Sequence, residues 1–119
     1  MTEDVKQALE TDRVIDITTI GCKSGEESRI EMWFHNIDGR IFLTGSPGRR
    51  DWYANLVANP RFTFHLKVSA QADLAATARP VTDSAQKKPV LEVLLDRLGH
   101  SDRFEEWMQR SPLVEVTFA

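Results

Sequence analysis

The chain has 119 residues, of which 41% are hydrophobic and 28% are charged, and its formal net charge is −3. This length and composition are typical of one globular domain, residues 1–119, that folds without a disulfide or a metal. Because the net charge is negative, the protein as a whole does not attract nucleic acid or anionic lipid. An anionic ligand would therefore need a local cluster of basic residues.

No apolar run approaches the roughly 20 residues needed to cross a bilayer, so no transmembrane segment is predicted. The N-terminal residues are polar and partly acidic, unlike a secretory signal. Cys22 is the only cysteine, which excludes an internal disulfide and fits a reducing compartment. These features predict a cytoplasmic protein.

Apolar periodicity and turn residues divide the chain into helices and strands. In chain order they are helix 3–10, strands 13–20, 28–37 and 40–45, helix 51–59, strands 61–68 and 73–82, helices 86–98 and 102–110, and strand 113–118. Asp38-Gly39 separates two of the strands and is the strongest short-range signal for a β-hairpin. In helix 51–59, Asp51 is placed to cap the N-terminus. The buried side of this helix is predicted to consist of Trp52, Leu56 and Val57.

The order of these elements predicts the fold class. A run of mainly antiparallel strands with short loops, and helices set apart from them, indicates an α+β domain. Because an open antiparallel sheet exposes two edges, curling into a small barrel is the economical way to remove them. We therefore predict a mainly antiparallel β-barrel with peripheral helices.

The loop between the first two predicted strands carries a candidate phosphate site. Lys23 offers an ammonium group, Ser24 a hydroxyl, and Gly25 a backbone that can approach a ligand closely. Arg29 follows, with a guanidinium group suited to bidentate phosphate contact. An ordinary solvated turn followed by an exposed strand residue explains the same four residues, so both interpretations stay open.

A second basic cluster, Arg49 and Arg50, precedes helix 51–59. The free N–H groups and the dipole of a helix N-terminus favour an anion at this point. A capping carboxylate on Asp51 would compete for those N–H groups. Pairing of the arginines with Asp51, or simple solvation, is the alternative.

Strand 28–37 places Met32 and Phe34 on one face and Trp33 on the other. We expect the first face to pack into the core. Trp33 is then exposed unless a ring system or a second subunit covers it.

No residue is identified as catalytic. His35, His65 and His100 lack the spacing of a metal site, so no metal is predicted. The chain has neither a Gly-x-Gly-x-x-Gly motif nor a P-loop. Asp16 is expected to be solvated.

Several motifs in a fixed order resemble a known family. They are Thr19-Ile20-Gly21-Cys22-Lys23-Ser24-Gly25, Arg29, Asp38-Gly39, Ser46 with Gly48, Trp52-Tyr53-Ala54-Asn55-Leu56, Ala58-Asn59-Pro60, Ala78-Arg79-Pro80-Val81-Thr82-Asp83 and Pro112-Leu113-Val114-Glu115-Val116. Together they cover nearly the whole chain. The set is similar to the deazaflavin-dependent nitroreductase family, within the flavin and deazaflavin oxidoreductases that share a split β-barrel.

The resemblance implies a split β-barrel, a homodimer and the 8-hydroxy-5-deazaflavin coenzyme F-420 (F420). It also implies that the reduced coenzyme gives a hydride to a small organic acceptor such as a quinone or a nitro compound. The cofactor-binding residues that follow from the resemblance and the two basic clusters are Lys23, Ser24, Gly25, Arg29, Met32, Trp33, Phe34, Ser46, Gly48, Arg49 and Arg50. The first four and the last four would hold the phosphate and acidic tail from two sides. The backbone of the middle three would lie beside the deazaflavin ring.

The chain departs from the family pattern in both basic loops. Cys22 stands where relatives often have Arg, one extra residue precedes Arg29, and the loop after Ser46 is short. Tyr53 is the only tyrosine, so the C-terminal tyrosines of the nitroreductases are missing. The alternatives are FMN or FAD as cofactor on the same fold, or a non-catalytic protein that binds a flavin, haem or fatty acid.

Overall fold

A computed structural model describes all 119 residues and contains seven strands and four α-helices. In chain order these are α1 (Glu3–Thr11), β1 (Val14–Ile20), β2 (Glu27–Trp33), β3 (His35–Ile37), β4 (Arg40–Thr44), α2 (Asp51–Ala58), β5 (Arg61–Leu66), β6 (Ala72–Pro80), α3 (Ser84–Leu98), α4 (Phe104–Arg110) and β7 (Leu113–Phe118), with a 3-10 turn at Ser101–Arg103. The predicted elements are present, except that predicted strand 28–37 is divided at Phe34. None of the helices has both the length and the apolar character needed to span a membrane.

All seven strands form one antiparallel sheet in the order β2-β1-β5-β6-β7-β4-β3. The two edge strands, β2 and β3, are consecutive in the chain and separated only by Phe34. Because one bent strand forms both edges, the sheet must curl round on itself into a barrel. At the bend, the Phe34 N–H donates to the Arg13 carbonyl oxygen at 2.9 Å. The predicted α+β split β-barrel with peripheral helices is confirmed.

The main core fills this barrel. β1 alternates half-buried and buried residues, and its Ile17 lies opposite Ile30 in β2 and Phe64 in β5. Phe34 and Phe64 meet edge to face, with ring centroids 5.3 Å apart. Full burial of side chains of this size stabilises the fold by about 1.5–3 kcal/mol each.

A second core lies outside the barrel, where α3 and α4 pack against β4 and β7. Its members are Phe42, Val81, Val90, Leu91, Leu94, Leu95, Trp107 and Leu113. α3 ends at Gly99, as predicted. This packing brings the start of α3 next to the junction between α4 and β7.

The hairpin predicted at Asp38-Gly39 connects β3 and β4. Asp38 has φ 51° and Gly39 has φ 88°, so both residues have the left-handed conformation that a type I′ turn requires. The Gly39 N–H also donates to the Asn36 side-chain oxygen at 2.9 Å. This prediction is confirmed.

Two expectations for α2 are wrong. Arg50, not Asp51, occupies the N-cap position, and no side chain caps the helix. Val57 is 55% exposed, whereas Trp52 and Leu56 are buried. Because an α-helix turns by about 100° per residue, Val57 lies about 140° round the helix from Trp52 and cannot share its buried face. The uncapped N-terminus leaves first-turn N–H groups available to a ligand.

Candidate functional site

The two loops that carry the predicted basic clusters border the same cleft. The β1–β2 loop (residues 21–26) and the β4–α2 loop (residues 45–50) both line it, together with the exposed face of α2. The cleft continues to residues 108–113, at the junction of α4 and β7, and has a volume of about 1530 Å³. Cofactor and substrate sites of proteins usually occupy a few hundred to about 1,000 Å³, so the cleft has room for a large cofactor and a second molecule.

Hydrogen bonds inside the β1–β2 loop fix its shape. The Gly21 N–H donates to the Glu26 carbonyl oxygen at 2.8 Å, and the Gly25 N–H donates to the Gly21 carbonyl oxygen at 3.0 Å. Ser24 Oγ accepts from the Glu26 N–H at 3.1 Å, which leaves its hydroxyl hydrogen free to donate elsewhere. Lys23 is exposed in this loop and forms no salt bridge. The loop therefore offers an ammonium group and a hydroxyl to an anion.

Asn55 fastens α2 to the β1–β2 loop. Its Oδ1 accepts from the Cys22 N–H at 3.0 Å, and its Nδ2 donates to Thr19 Oγ1 at 3.1 Å. Thr19 is buried at the end of β1. From the sequence, Asn55 is assigned no role beyond its place in a motif. The feature that could have indicated its role is a polar amide in the middle of a helix, next to apolar residues.

The β4–α2 loop presents Arg49 and Arg50 beside the N-terminus of α2. The Gly48 N–H donates to the Arg110 carbonyl oxygen at 3.1 Å, which joins this loop to the end of α4. Gly48 has φ 127°, and a Cβ there would lie 3.3 Å from Arg50 Nη1. The half-buried Arg50 uses Nη1 to donate to the Arg49 carbonyl oxygen at 2.8 Å. Glycine at position 48 therefore lets the Arg50 guanidinium fold against the loop.

The cleft is positively charged in a protein whose net charge is negative. It is lined by five basic and three acidic residues: Lys23, Arg49, Arg50, Lys87 and Arg110 against Glu26, Glu27 and Asp51. Of the five basic residues, only Arg110 forms a salt bridge, with Glu106 at 3.6 Å. Cations without a paired carboxylate keep their attraction for a ligand anion, so the cleft suits a phosphate or a carboxylate.

Comparison with known families identifies the chain. Residues 2–116 match the sequence model of the F420H2-dependent quinone reductases. The chain belongs to this family. The reductase is an oxidoreductase that depends on coenzyme F420, so the predicted enzyme class and the predicted cofactor are confirmed over the FMN, FAD and non-catalytic alternatives.

Solved structures share the fold of the reductase. A conserved hypothetical protein from Mycobacterium tuberculosis is 21% identical with a TM-score of 0.73, and the alignment covers 99% of the reductase and 81% of that protein. An F420-H2 dependent reductase is 18% identical with a TM-score of 0.63, covering 89% and 95%. A FAD-binding protein from Mesorhizobium loti is 13% identical with a TM-score of 0.72, covering 100% and 91%. At these identities the likeness establishes the fold.

Arg29 lies apart from the other predicted phosphate ligands. It is on β2, and its side chain points to the outer face of the sheet because the adjacent Ile30 packs against the core. Its Nε donates to Asp16 Oδ2 at 3.0 Å. Arg29 does not line the cleft, and Gly25 and Ser46 are exposed neighbours of the lining residues.

Residues 32–34 also lie outside the cleft. Phe34 is buried in the core and Met32 is half-buried against it. Trp33 is 49% exposed on the opposite face. Within one chain, these residues are not brought together with the two basic loops.

The expectation that Asp16 is solvated is wrong. Its side chain is 17% exposed, and it accepts from Lys67 Nζ at 2.7 Å as well as from Arg29. The Lys67 ammonium, and after it the Arg29 guanidinium, hold the pKa of Asp16 below its ordinary value. Lys67 also pairs with Glu31, so the outer face of the sheet carries a continuous ion-pair network.

His65 belongs to the same outer face and was missed as a structural residue. It is 6% exposed, with Nδ1 2.6 Å from Asp73 Oδ1 and Nε2 2.7 Å from Thr18 Oγ1. The pKa of Asp73 is lowered by its hydrogen bond to His65. From the sequence, His65 is considered only as a metal ligand, and a sequence does not reveal which partners cross-strand pairing supplies.

Lys87 is a lining residue that sequence reasoning did not find. It is 8% exposed, and its Nζ donates to the Ser111 carbonyl oxygen at 2.7 Å. Burial lowers its pKa. Its neighbour Lys88 is exposed and does not line the cleft, so the two lysines have different surroundings.

Proposed function

We propose that the reductase holds the phosphate and acidic tail of F420 in the cleft, between the β1–β2 loop and the N-terminus of α2. The observation that carries this proposal is the convergence of Lys23, Arg49 and Arg50 on one cleft without a carboxylate partner for any of them. Such cations, together with unpaired helix N–H groups, form a site for phosphate oxygens.

Each side chain in this site has a distinct role. Lys23 and Arg49 are exposed and supply charge, and Arg50 is held in place by its bond to the Arg49 carbonyl oxygen. The free hydroxyl hydrogen of Ser24 donates to a phosphate oxygen. Because Arg29 is paired with Asp16, we expect it to contribute less than the resemblance implies.

The acceptor that we propose is a quinone. The family description supports this class. When bound, the reduced coenzyme supplies a hydride, and the protein orients the acceptor and stabilises the charge that develops on its oxygen. A nitro compound is the second candidate, which the missing C-terminal tyrosines make less favoured.

We propose that the reductase is a homodimer in which a second copy covers Trp33. A large aromatic side chain that is 49% exposed on a strand is typical of a surface that a partner covers. One solved structure with this fold, 18% identical and with a TM-score of 0.63, is described as a domain-swapped dimer. In this dimer, residues 32–34 lie beside the ring of a coenzyme whose tail is held by the other protomer. Sedimentation of the wild type and of Trp33→Glu tests the dimer, which the glutamate should weaken.

We further propose that the reductase acts in the cytoplasm. Its one cysteine, Cys22, is free and exposed beside the cleft. An exposed free thiol suits a reducing compartment. Locating a tagged protein by cell fractionation tests this.

Titration with F420 tests the proposed site. We expect Lys23→Ala and Arg50→Ala each to weaken binding by about 1.5–3 kcal/mol, because each removes a charge-assisted contact to the tail. Lys88→Ala is the matched control, because Lys88 is an exposed lysine outside the cleft. Coenzyme fluorescence gives the dissociation constant, measured at low and high salt.

The outcomes separate the alternatives. Wild-type affinity should fall as salt rises, and the two variants should show a weaker salt dependence, since fewer ionic contacts remain. Wild-type affinity in both variants would refute the placement of the tail in this cleft. Tighter binding of FMN than of F420 would refute the proposed match between the cleft and an acidic tail.

A further inference from the structure

The cleft contains a buried cation that the two basic loops do not explain. Lys87, the fourth residue of α3, is 8% exposed and forms no salt bridge. Its hydrogen-bond partner is the Ser111 carbonyl oxygen. The Ser111 hydroxyl is buried as well and has no partner. An ammonium group has three N–H donors, so a buried one with a single acceptor is costly unless a further partner is present.

Lys87 and the β1–β2 loop lie on opposite sides of the β4–α2 loop and α2. Asn55 joins α2 to the β1–β2 loop, and Gly48 joins the β4–α2 loop to Arg110. Residues 48–58 therefore lie between the β1–β2 loop and residues 110–111, of which Ser111 contacts Lys87. With the coenzyme tail between the β1–β2 loop and the N-terminus of α2, the part of the cleft beyond the β4–α2 loop, beside Lys87, is left for a second molecule.

The surroundings of Lys87 suit an aromatic ring that carries oxygen. Val81, Met108 and Leu113 line this end of the cleft with apolar atoms, and Lys87 and Ser111 supply the polar groups. A mainly apolar surface with one or two placed donors is the usual composition of a small-molecule site. A quinone, which is flat and apolar apart from its carbonyl oxygens, has the matching chemistry.

We propose, on the basis of the proposed function, that Lys87 binds a carbonyl oxygen of the quinone acceptor and donates a proton to that oxygen. The Ser111 hydroxyl donates a second hydrogen bond to the same oxygen. Lys87 is thus a catalytic residue, and its bond to the Ser111 carbonyl oxygen holds the ammonium in position.

The quinone gains one hydrogen and two electrons as a hydride from the reduced coenzyme, which is thereby oxidised, and becomes a hydroquinone monoanion. An N–H bond of Lys87 then breaks, and an O–H bond forms on the charged oxygen, which yields the neutral hydroquinone. The neutral amine regains a proton from water in the open cleft. The ammonium also stabilises the negative charge as it develops.

The electrostatic surroundings agree with this role. The charged groups on the segments around Lys87 are Asp83 and Lys88 on α3 and its N-cap, Arg49, Arg50 and Asp51 on the β4–α2 loop and α2, and Glu106 and Arg110 on α4. Glu106 is paired with Arg110, and neither aspartate forms a salt bridge with Lys87. Burial places the pKa of Lys87 below its ordinary value of 10.5, which makes the ammonium a better proton donor near neutral pH.

Binding to the protein without coenzyme tests the contact directly. The probes are hydroxynaphthoquinone, which carries a negative charge on oxygen at neutral pH, and uncharged naphthoquinone, both followed by quenching of tryptophan fluorescence. We expect Lys87→Met to weaken hydroxynaphthoquinone binding about tenfold or more and to change naphthoquinone binding about threefold or less. Lys88→Met, the matched control, should leave both unchanged.

Kinetics test the proton transfer. In Lys87→Met we expect kcat to fall about 100-fold while the dissociation constant of F420 stays at the wild-type value. The wild-type rate should fall at alkaline pH as Lys87 loses its proton. In Lys87→Arg, which stays charged and can still donate to the Ser111 carbonyl oxygen, that alkaline fall should disappear.

A purely structural role for Lys87 gives a different result. The proposal is overturned if Lys87→Met lowers the melting temperature but binds hydroxynaphthoquinone with wild-type affinity and shows the same decrease in reaction rate at alkaline pH as the wild type. If Lys87→Met does not fold, an unchanged pH profile in Lys87→Arg overturns it equally. A wild-type protein that fails to bind F420 refutes the proposed function, and the coenzyme-free comparison of the two probes still decides the role of Lys87.

Discussion

Replacing Asn55 by alanine should loosen the β1–β2 loop and weaken coenzyme binding together. The change removes the bond from the Cys22 N–H at 3.0 Å and the bond to Thr19 Oγ1 at 3.1 Å. The exposed Cys22 N–H can bond to water instead, at a net cost of about 0.5–1.5 kcal/mol. Thr19 is 2% exposed, so its hydroxyl loses a partner that water replaces poorly, at about 1–3 kcal/mol. The free energy of unfolding should therefore fall by about 1.5–4.5 kcal/mol.

Thermal unfolding and F420 titration measure the two consequences of Asn55→Ala. For a chain of this size, 1 kcal/mol corresponds to about 4 °C, so we expect the melting temperature to fall by about 6–18 °C. Asn59→Ala is the matched control, because Asn59 also lies at α2 but its side chain forms no hydrogen bond. If the melting temperature of Asn55→Ala lay within about 2 °C of the wild-type value, which corresponds to about 0.5 kcal/mol, the role of Asn55 in anchoring the loop would be refuted.

Asn55→Asp separates loop anchoring from charge. Aspartate keeps an oxygen to accept from the Cys22 N–H but loses the donor to Thr19, so its stability should lie between those of the wild type and Asn55→Ala. It also adds a negative charge to the cleft that we propose for the coenzyme tail. At low salt, F420 should therefore bind more weakly to Asn55→Asp than to Asn55→Ala, the reverse of the stability order. If Asn55→Asp were both more stable than Asn55→Ala and bound F420 more tightly, the placement of the tail in this cleft would be contradicted.

Two further substitutions test the β4–α2 loop and the outer sheet. In Gly48→Ala, a side chain with φ 127° and a Cβ 3.3 Å from Arg50 Nη1 is strained, so the free energy of unfolding should fall by about 1–3 kcal/mol and F420 affinity should fall as Arg50 moves. Unchanged urea unfolding would contradict that strain. Arg40 and Arg79 lower the pKa of Glu115 from 4.5 to about 2, so the stabilisation from this carboxylate is complete above about pH 4.5 and is lost as the pH falls towards 2. Glu115→Gln should therefore reduce the free energy of unfolding by about 1–2 kcal/mol at pH 7 and by almost nothing at pH 2. The value at pH 7 is smaller than the pKa shift alone implies, because both arginines are half exposed and solvent screens the ion pairs. A loss of equal size at both pH values would contradict the ion-pair origin.

Local features of the fold follow from the sequence because their causes are local. Asp38-Gly39 defines its hairpin through the conformation of two residues, and each predicted helix or strand follows from its own periodicity. The bend at Phe34 was not predicted, because the apolar alternation of Met32 and Phe34 continues through it. The bend exists because β2 pairs with β1 while β3 pairs with β4, which are long-range contacts.

The same limit applies to the candidate site. The sequence located both basic loops that line the cleft, although local turn chemistry alone left an ordinary solvated turn as an open alternative. It could not assign Arg29, because the partner of Arg29 is Asp16 on the neighbouring strand, 13 residues earlier. It could not find Lys87, because burial of that side chain depends on α4 ending beside α3.

The arrangement of ion pairs explains how an acidic protein keeps a cationic cleft. Six of the ten basic residues outside the cleft form salt bridges, whereas one of the five that line it does so. Acidic residues therefore neutralise the outer sheet and the helix surfaces and leave the cleft cations unpaired. Because paired charges cancel at short range while unpaired ones act over roughly 8–10 Å at physiological salt, the local field at the cleft has the opposite sign to the net charge. Asp16→Asn removes the carboxylate partner of Arg29 and should therefore create a competing anion site on the outer sheet without changing the cleft. This site should be visible in the F420 titration as a second, weaker phase that is sensitive to salt.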